Sequence, residues 1–152
     1  MLPNTPDRVP DHTAASFNLA IREATEASVR FHTTHPKRIG TRLAELDREW
    51  DIERTLEMNA ATLAFTGVVL GATVDRRWLA IPAVVTAFLF QHAVQGWCPP
   101  LPVLRKLGFR TSREIDIERS ALKALRGDFG ALVPDPQERE NRASHALQAA
   151  RL

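Results

Sequence analysis

Cysteine is almost absent from this chain of 152 residues, and neither sign of charge dominates it. The single cysteine, Cys98, excludes an internal disulfide framework, and with five scattered histidines it forms no four-ligand zinc pattern. The 20 Lys and Arg residues nearly balance the 18 Asp and Glu residues, so nothing in the composition indicates nucleic-acid binding. We therefore predict no metal, no cofactor and no nucleic-acid partner.

Charge is missing from two neighbouring stretches, residues 58–74 and 78–97, which the link Asp75-Arg76-Arg77 joins. As a helix, the first would span about 26 Å at about 1.5 Å per residue, just short of a hydrocarbon core of about 30 Å. The second is long enough to cross that core. Because so short a link permits only antiparallel helices, the pattern predicts a transmembrane hairpin over 58–98. The alternative is a soluble helical pair buried inside an oligomer.

The chain before the hairpin is charged or irregular. Residues 1–13 contain three prolines and no apolar run, which predicts a flexible arm rather than a helix or a signal peptide. Residues 14–57 are predicted to form cytoplasmic helices. Their clearest apolar stripe, spaced by 4, 3 and 4, comprises Ile39, Leu43, Leu46 and Trp50.

No Pro or Gly lies between Arg42 and Gly67, so the helix that carries this stripe is expected to continue into the first span. The stripe has three candidate partners, which are another chain, the C-terminal helix and the lipid surface. In the link, Asp75 is predicted to cap the second helix and Pro82 to lie in its first turn.

The chain after the hairpin divides at Asp128. Residues 99–128 contain a proline-rich turn and then a capping-box pattern, Thr111 to Glu114, which predicts an amphipathic helix closed by Gly127. Residues 129–152 predict a weak polar helix or a disordered tail.

Two groups of residues inside the hairpin are candidates for specific contacts. Small residues at helical spacing, which allow close helix packing in lipid, are Ala60, Ala64, Gly67 and Gly71. Polar residues near the end of the second span are Gln91, His92 and Gln95. The polar group favours hydrogen bonding between helices, and a ligand or proton site is the alternative.

Basic residues flank the hairpin unevenly. The outer flanks carry Lys37, Arg38, Arg42, Arg48, Arg54, Arg105, Lys106, Arg110 and Arg113, whereas the link carries only Arg76 and Arg77. By the positive-inside rule both termini are predicted to be cytoplasmic. The excess of Arg over Lys and the abundance of Ala are typical of a GC-rich bacterial gene, so we expect a bacterial membrane.

The end of the second span carries a family resemblance. The hairpin followed by Gly96-Trp97-Cys98-Pro99 and the later Leu107-Gly108-Phe109 resembles an uncharacterised two-helix inner-membrane domain, also found as the membrane part of the YgaP-type rhodanese. The resemblance covers Trp50 to Thr111. It implies a membrane hairpin that can dimerise and has no assigned activity. This chain has no rhodanese domain, so sulfurtransfer is not implied.

We therefore predict an all-α protein, a two-helix transmembrane hairpin flanked by cytoplasmic amphipathic helices. The leading functional hypothesis is a non-enzymatic, self-associating module that anchors or scaffolds a cytoplasmic assembly, with the lipid bilayer and a second copy or another membrane protein as partners. One alternative is a thiol- or sulfur-handling protein that uses Cys98 as its catalytic residue. That alternative requires a lowered thiol pKa, which the C-terminal end of a helix disfavours. The other alternative is a soluble helical oligomer.

Overall fold

The computed structural model describes residues 5–128 and 146–150, and within them it contains helices and no strand. The helices are α1 (Thr5–Arg8), α2 (Ala15–Thr34), α3 (Ile39–Leu46), α4 (Ile52–Thr73), α5 (Ala80–Gln95), α6 (Leu101–Lys106) and α7 (Ser112–Arg126). Residues 146–150 are also helical. The all-α prediction is confirmed for the described residues.

The chain forms two compact units that do not follow the contiguous division expected from the sequence. Unit 1 comprises residues 1–17 and 50–111, and unit 2 comprises residues 18–49 and 112–152. Each unit therefore draws on segments that are far apart in the sequence. Sequence patterns report neighbours along the chain and do not show which distant segments pack together.

Unit 1 is built on an antiparallel pair of helices, α4 and α5. The link folds as a 3-10 turn, Arg76–Leu79, in which the Asp75 carboxylate accepts a hydrogen bond of 2.8 Å from the backbone N–H of Arg77. Asp75 therefore caps this 3-10 turn rather than α5, which follows Leu79 without a side-chain cap. Pro82 lies in the first turn of α5, where its missing N–H leaves no hydrogen bond unmade.

The helix that carries the apolar stripe does not continue into the first span, so that prediction is wrong. It ends at Leu46, and Asp51 adopts an extended conformation and starts a new helix by accepting a 2.7 Å hydrogen bond from the N–H of Arg54. An aspartate in this position satisfies a free helix N–H and so competes with helix continuation. The N–H of Ile52 is bonded to the carbonyl of Arg110 at 2.9 Å, which anchors the start of α4 within unit 1.

The prediction of a flexible N-terminal arm is wrong for residues 5–13. This segment forms α1 and a 3-10 turn, Val9–His12, and Val9 is fully buried. Its prolines were interpreted as helix breakers, but Pro6 and Pro10 occupy first-turn positions, where proline is tolerated. Residues 1–4 lie outside the described residues.

Unit 2 has its own apolar core, to which α2, α3 and α7 contribute. The buried members are Val29, Ile39, Leu43, Leu46, Ile115, Ala121, Leu122, Ala124, Ala146 and Leu147. Of the three candidate partners for the stripe, α3 therefore packs on the C-terminal helix α7. Trp50 does not belong to the stripe, because it follows the helix break and is 39% exposed.

The C-terminal end of α7 agrees with the sequence pattern. Gly127 has a φ of +90°, and two hydrogen bonds of 3.1 Å, from Gly127 N to Ala124 O and from Asp128 N to Lys123 O, close the helix. This is the Schellman arrangement that a glycine after a helix favours. Of the predicted tail, only 146–150 is described, and there it is a helix with Ala146 and Leu147 buried; the rest lies outside the described residues.

Candidate functional site

The hairpin of α4 and α5 exposes a large apolar surface. The helix Ile52–Thr73 and the segment Arg76–Gln95 are each long and apolar enough to cross a membrane. Only 22% of the apolar window of the first and 6% of that of the second is buried. Large apolar side chains such as Phe65 and Phe90, each 72% exposed, project from the pair.

The small-residue face of α4 lies against the link and the start of α5 at its two glycines. A Cβ added to Gly67 would lie 2.5 Å from Cδ of Pro82, and one added to Gly71 would lie 2.6 Å from a methyl of Leu79. Ala60 and Ala64, on the same face, are half-buried. The space beside Gly67 and Gly71 is therefore already occupied by residues of the same chain.

A polar stripe that the sequence analysis did not identify runs along another face of α4. It comprises four polar residues and one valine at the same spacing, all exposed: Asn59, Thr62, Thr66, Val69 and Thr73. The spacing of 3, 4, 3 and 4 is the heptad pattern of a helix seam, which is the signal that could have revealed it. Each of its threonine hydroxyls donates to the carbonyl four residues earlier, at 2.7–2.8 Å. The stripe can thus be exposed without leaving hydroxyl donors unpaired.

The three polar residues near the end of α5 do not form one network. Gln91 donates to Gln95 within the same helix at 3.3 Å, rather than across to a second helix. His92 is 5% exposed, and within the described residues its two ring nitrogens have no hydrogen-bond partner. These three side chains therefore provide no assembled ligand or proton site in the described structure.

The N-terminal segment caps the end of α5. The Arg8 guanidinium donates to the carbonyl oxygens of Ala93, at 3.0 Å, and Val94. The Thr5 hydroxyl also donates to the Ala93 oxygen, at 3.3 Å. Gly96 turns the chain with a φ of +75°, and an added Cβ there would lie 2.7 Å from Cβ of Arg8. Arg8 complements the negative end of the helix dipole, a role that sequence reasoning missed because the two segments are far apart.

Cys98 lies in the apolar cluster of unit 1 and is 7% exposed. The other buried members of that cluster are Val9, Ile52, Leu56, Leu101 and Leu104. Burial raises the pKa of the Cys98 thiol, so the reactive thiolate is scarce at neutral pH. Arg105, a cation that follows Cys98 in the sequence, donates to the carbonyl of Phe109 at 3.3 Å. The environment of Cys98 favours a structural thiol.

Unit 2 contains a buried ion pair. The Glu118 carboxylate is fully buried and accepts hydrogen bonds from Nε of Arg42 at 2.8 Å and from the Ser28 hydroxyl at 2.6 Å. The hydrogen bond with Glu118 is the main cause that raises the pKa of Arg42. The pair and the serine contact join α2, α3 and α7 around one carboxylate.

Metal-ligating side chains do not cluster in the described residues. Among them no group of three or more His, Cys, Asp or Glu side chains could hold a metal ion. Cys98 is the one nucleophilic candidate, and its apolar surroundings oppose that use. Comparisons with protein-family models, with curated proteins and with solved structures found no match to this chain.

Proposed function

We propose that this chain is a non-enzymatic membrane module that anchors or scaffolds a cytoplasmic assembly. The observation that carries the proposal is the exposed apolar surface of the hairpin. A core helix of a soluble protein buries its apolar side chains, whereas most of the apolar windows of α4 and α5 are exposed. An apolar surface of this kind marks contact with a membrane or with a partner protein.

The ends of the hairpin support a spanning orientation. Trp78 lies at the link, and Trp50 and Trp97 lie at the opposite end. Tryptophans collect at the two membrane interfaces, so this placement fits a pair of helices that crosses the bilayer. With the uneven basic flanks, the proposal places both termini in the cytoplasm of a bacterial inner membrane. The resemblance to the two-helix inner-membrane family belongs to the same proposal.

Carbonate extraction and cysteine labelling test this proposal. We expect the full chain to stay in the membrane pellet at alkaline pH, because the apolar faces of α4 and α5 contact lipid. An Arg76→Cys variant in a Cys98→Ser background should react with an impermeant maleimide from outside the inner membrane, since the link is exposed there. A matched Arg113→Cys variant should react only after the membrane is opened.

Two results would contradict the proposal in different ways. Release of the protein by carbonate would favour a soluble oligomer whose partner subunit covers the hairpin. Labelling of Arg113→Cys from outside, with Arg76→Cys protected, would invert the topology.

We further propose that self-association uses the polar stripe of α4. Successive residues of an α-helix are about 100° apart, which places Thr62 and Thr66 roughly opposite Gly67 and Gly71. The glycine face is occupied by contacts with Leu79, Ile81 and Pro82, so a second copy must use another face of α4. Among its exposed faces, the stripe is the one that carries Asn and Thr at heptad spacing. In a two-fold symmetric pair of parallel helices each seam residue meets its own copy. Asn and Thr both donate and accept hydrogen bonds and therefore suit such pairing.

Disulfide crosslinking in membranes tests the stripe. We expect a Thr66→Cys variant in a Cys98→Ser background to form a covalent dimer on mild oxidation, because symmetric packing brings the two cysteines together. Val68→Cys is the matched control, since Val68 is 49% exposed but faces a different side of α4. Crosslinking through Val68→Cys instead would move the interface to that side, and the absence of crosslinks in both would contradict self-association through α4.

A further inference from the structure

The end of α2 and the 3-10 turn Pro36–Arg38 form an exposed cationic and aromatic surface within unit 2. We call its members the α2-end patch: Arg30, Phe31, His35, Lys37 and Arg38, all of which are exposed. No acidic residue occurs in the sequence between Glu26 and Glu45. The patch therefore combines several positive charges with an aromatic ring that is 42% exposed.

The aromatic ring of the patch is held in place. The His35 ring stacks on Phe31 with centroids 4.1 Å apart and an angle of 11° between the planes. The Arg38 guanidinium carbon lies 5.8 Å from the centroid of the same ring, within the range of a cation–π contact. Phe31 is thus presented at the surface among cations rather than folded into the core.

The charges of the patch are uncompensated in the described structure. Within residues 5–128 and 146–150, no ion pair involves Arg30, Lys37 or Arg38, whereas Arg42 and Arg119 each pair with carboxylates. Arg30 lies just before the last turn of α2, near the helix end where the dipole favours a cation. The dipole does not account for two further cations beyond the helix or for the exposed ring of Phe31. The combination fits an anionic interface that also accepts an apolar side chain.

We propose that the α2-end patch docks on the anionic headgroups of the membrane in which the hairpin sits. This inference rests on the proposed membrane function. Lys and Arg are attracted to acidic lipids, and an exposed aromatic ring inserts at the headgroup boundary. The chain crosses between the two units at residues 17–18, 49–50 and 111–112, so unit 2 is tethered to the spans. Because of this tether, the patch meets the membrane at a high effective concentration, so even a weak attraction to the headgroups can keep it docked.

Full-length protein in lipid nanodiscs tests the docking. The probe is an environment-sensitive fluorophore on Thr34→Cys in a Cys98→Ser background, because Thr34 is exposed and adjacent to His35. We expect a spin-labelled headgroup lipid to quench it in discs of phosphatidylcholine with phosphatidylglycerol, and much less in phosphatidylcholine alone. Added salt should weaken the quenching, because it screens exposed charges.

Two charge-matched triple variants make the test specific. Arg30→Gln, Lys37→Gln and Arg38→Gln together should lower the ratio of docked to undocked protein about 100-fold, at about fivefold for each basic residue. The control variant removes the same number of exposed cations elsewhere in unit 2, through Arg22→Gln, Arg48→Gln and Arg113→Gln. It should leave the quenching nearly unchanged.

The possible failures are distinguishable. A chain that does not insert into nanodiscs overturns the proposed membrane function. An inserted chain whose probe is not quenched in anionic discs overturns the docking alone. Equal loss in both triple variants would assign the effect to net charge and overturn the patch. Patch-dependent binding of a DNA oligonucleotide without lipid quenching would replace the membrane surface by nucleic acid.

Discussion

Arg42→Ala is expected to lower the free energy of unfolding of unit 2 by about 3 kcal/mol. Glu118 is fully buried, and Arg42 contacts both of its carboxylate oxygens, at 2.8 and 3.2 Å. Removing the guanidinium withdraws two charge-assisted hydrogen bonds from a carboxylate that water cannot reach. Loss of one partner of a buried pair costs more than the intact pair contributes, because the remaining charge keeps its desolvation penalty. Breaking a buried ion pair typically costs about 3–5 kcal/mol. The Arg42 side chain is 27% exposed, so we expect a loss near the lower end of those values.

Hydrogen exchange of the α7 amides measures this effect within unit 2. Tryptophan fluorescence would not, because all three tryptophans lie in unit 1. Arg48→Ala is the control, since Arg48 is exposed and its loss should change stability by less than about 0.5 kcal/mol. Arg42→Lys should fall between the two, because an ammonium keeps the charge but cannot reproduce the paired geometry. Equal protection of α7 in the Arg42→Ala and Arg48→Ala variants would show that the ion pair does not stabilise unit 2.

Gly67→Leu is expected to separate α4 from α5 and to destabilise the hairpin by about 3 kcal/mol, near the upper end of typical overpacking effects. Even a Cβ would lie 2.5 Å from Cδ of Pro82 and 3.0 Å from Cβ of Ile81. The third neighbour is the backbone oxygen of Trp78, at 3.1 Å, and backbone cannot rotate away as a flexible side chain can. The two helices must therefore move apart.

Thermal unfolding in mild detergent, followed by circular dichroism, would detect the change. Ala72→Leu is the matched control, because Ala72 lies on an exposed side of the same helix. It should unfold close to the temperature of the unsubstituted chain. If Gly67→Leu also unfolds there, the glycine is not in a tight helix–helix contact.

Local features of this chain were predictable from the sequence. The closing glycine at Gly127 depends on residues within one turn of a helix and is confirmed, and Asp75 is a cap as predicted, although of the 3-10 turn that precedes α5. The buried face of α3 followed from the spacing of Ile39, Leu43 and Leu46. The small face containing Gly67 and Gly71 was identified by spacing, whereas its partner was left open between this chain and another.

Contacts between distant segments were not predictable. The break before Asp51 depends on a cap that competes with helix continuation, together with a hydrogen bond from Ile52 to Arg110. Arg8 was placed in a flexible arm, although its donors satisfy carbonyls at the end of α5. No sequence period links residues so far apart.

The helical class, the two long uncharged stretches and the residues that begin and end several helices follow from the sequence alone. These features depend on hydrophobic periodicity and on capping groups, which act over a few residues. The folded chain alone reveals that the link and the start of α5 cover the glycine face, that Cys98 is enclosed by apolar side chains and that Glu118 is buried against Arg42. Those outcomes depend on which distant surfaces exclude water together, and that is a property of the packed chain.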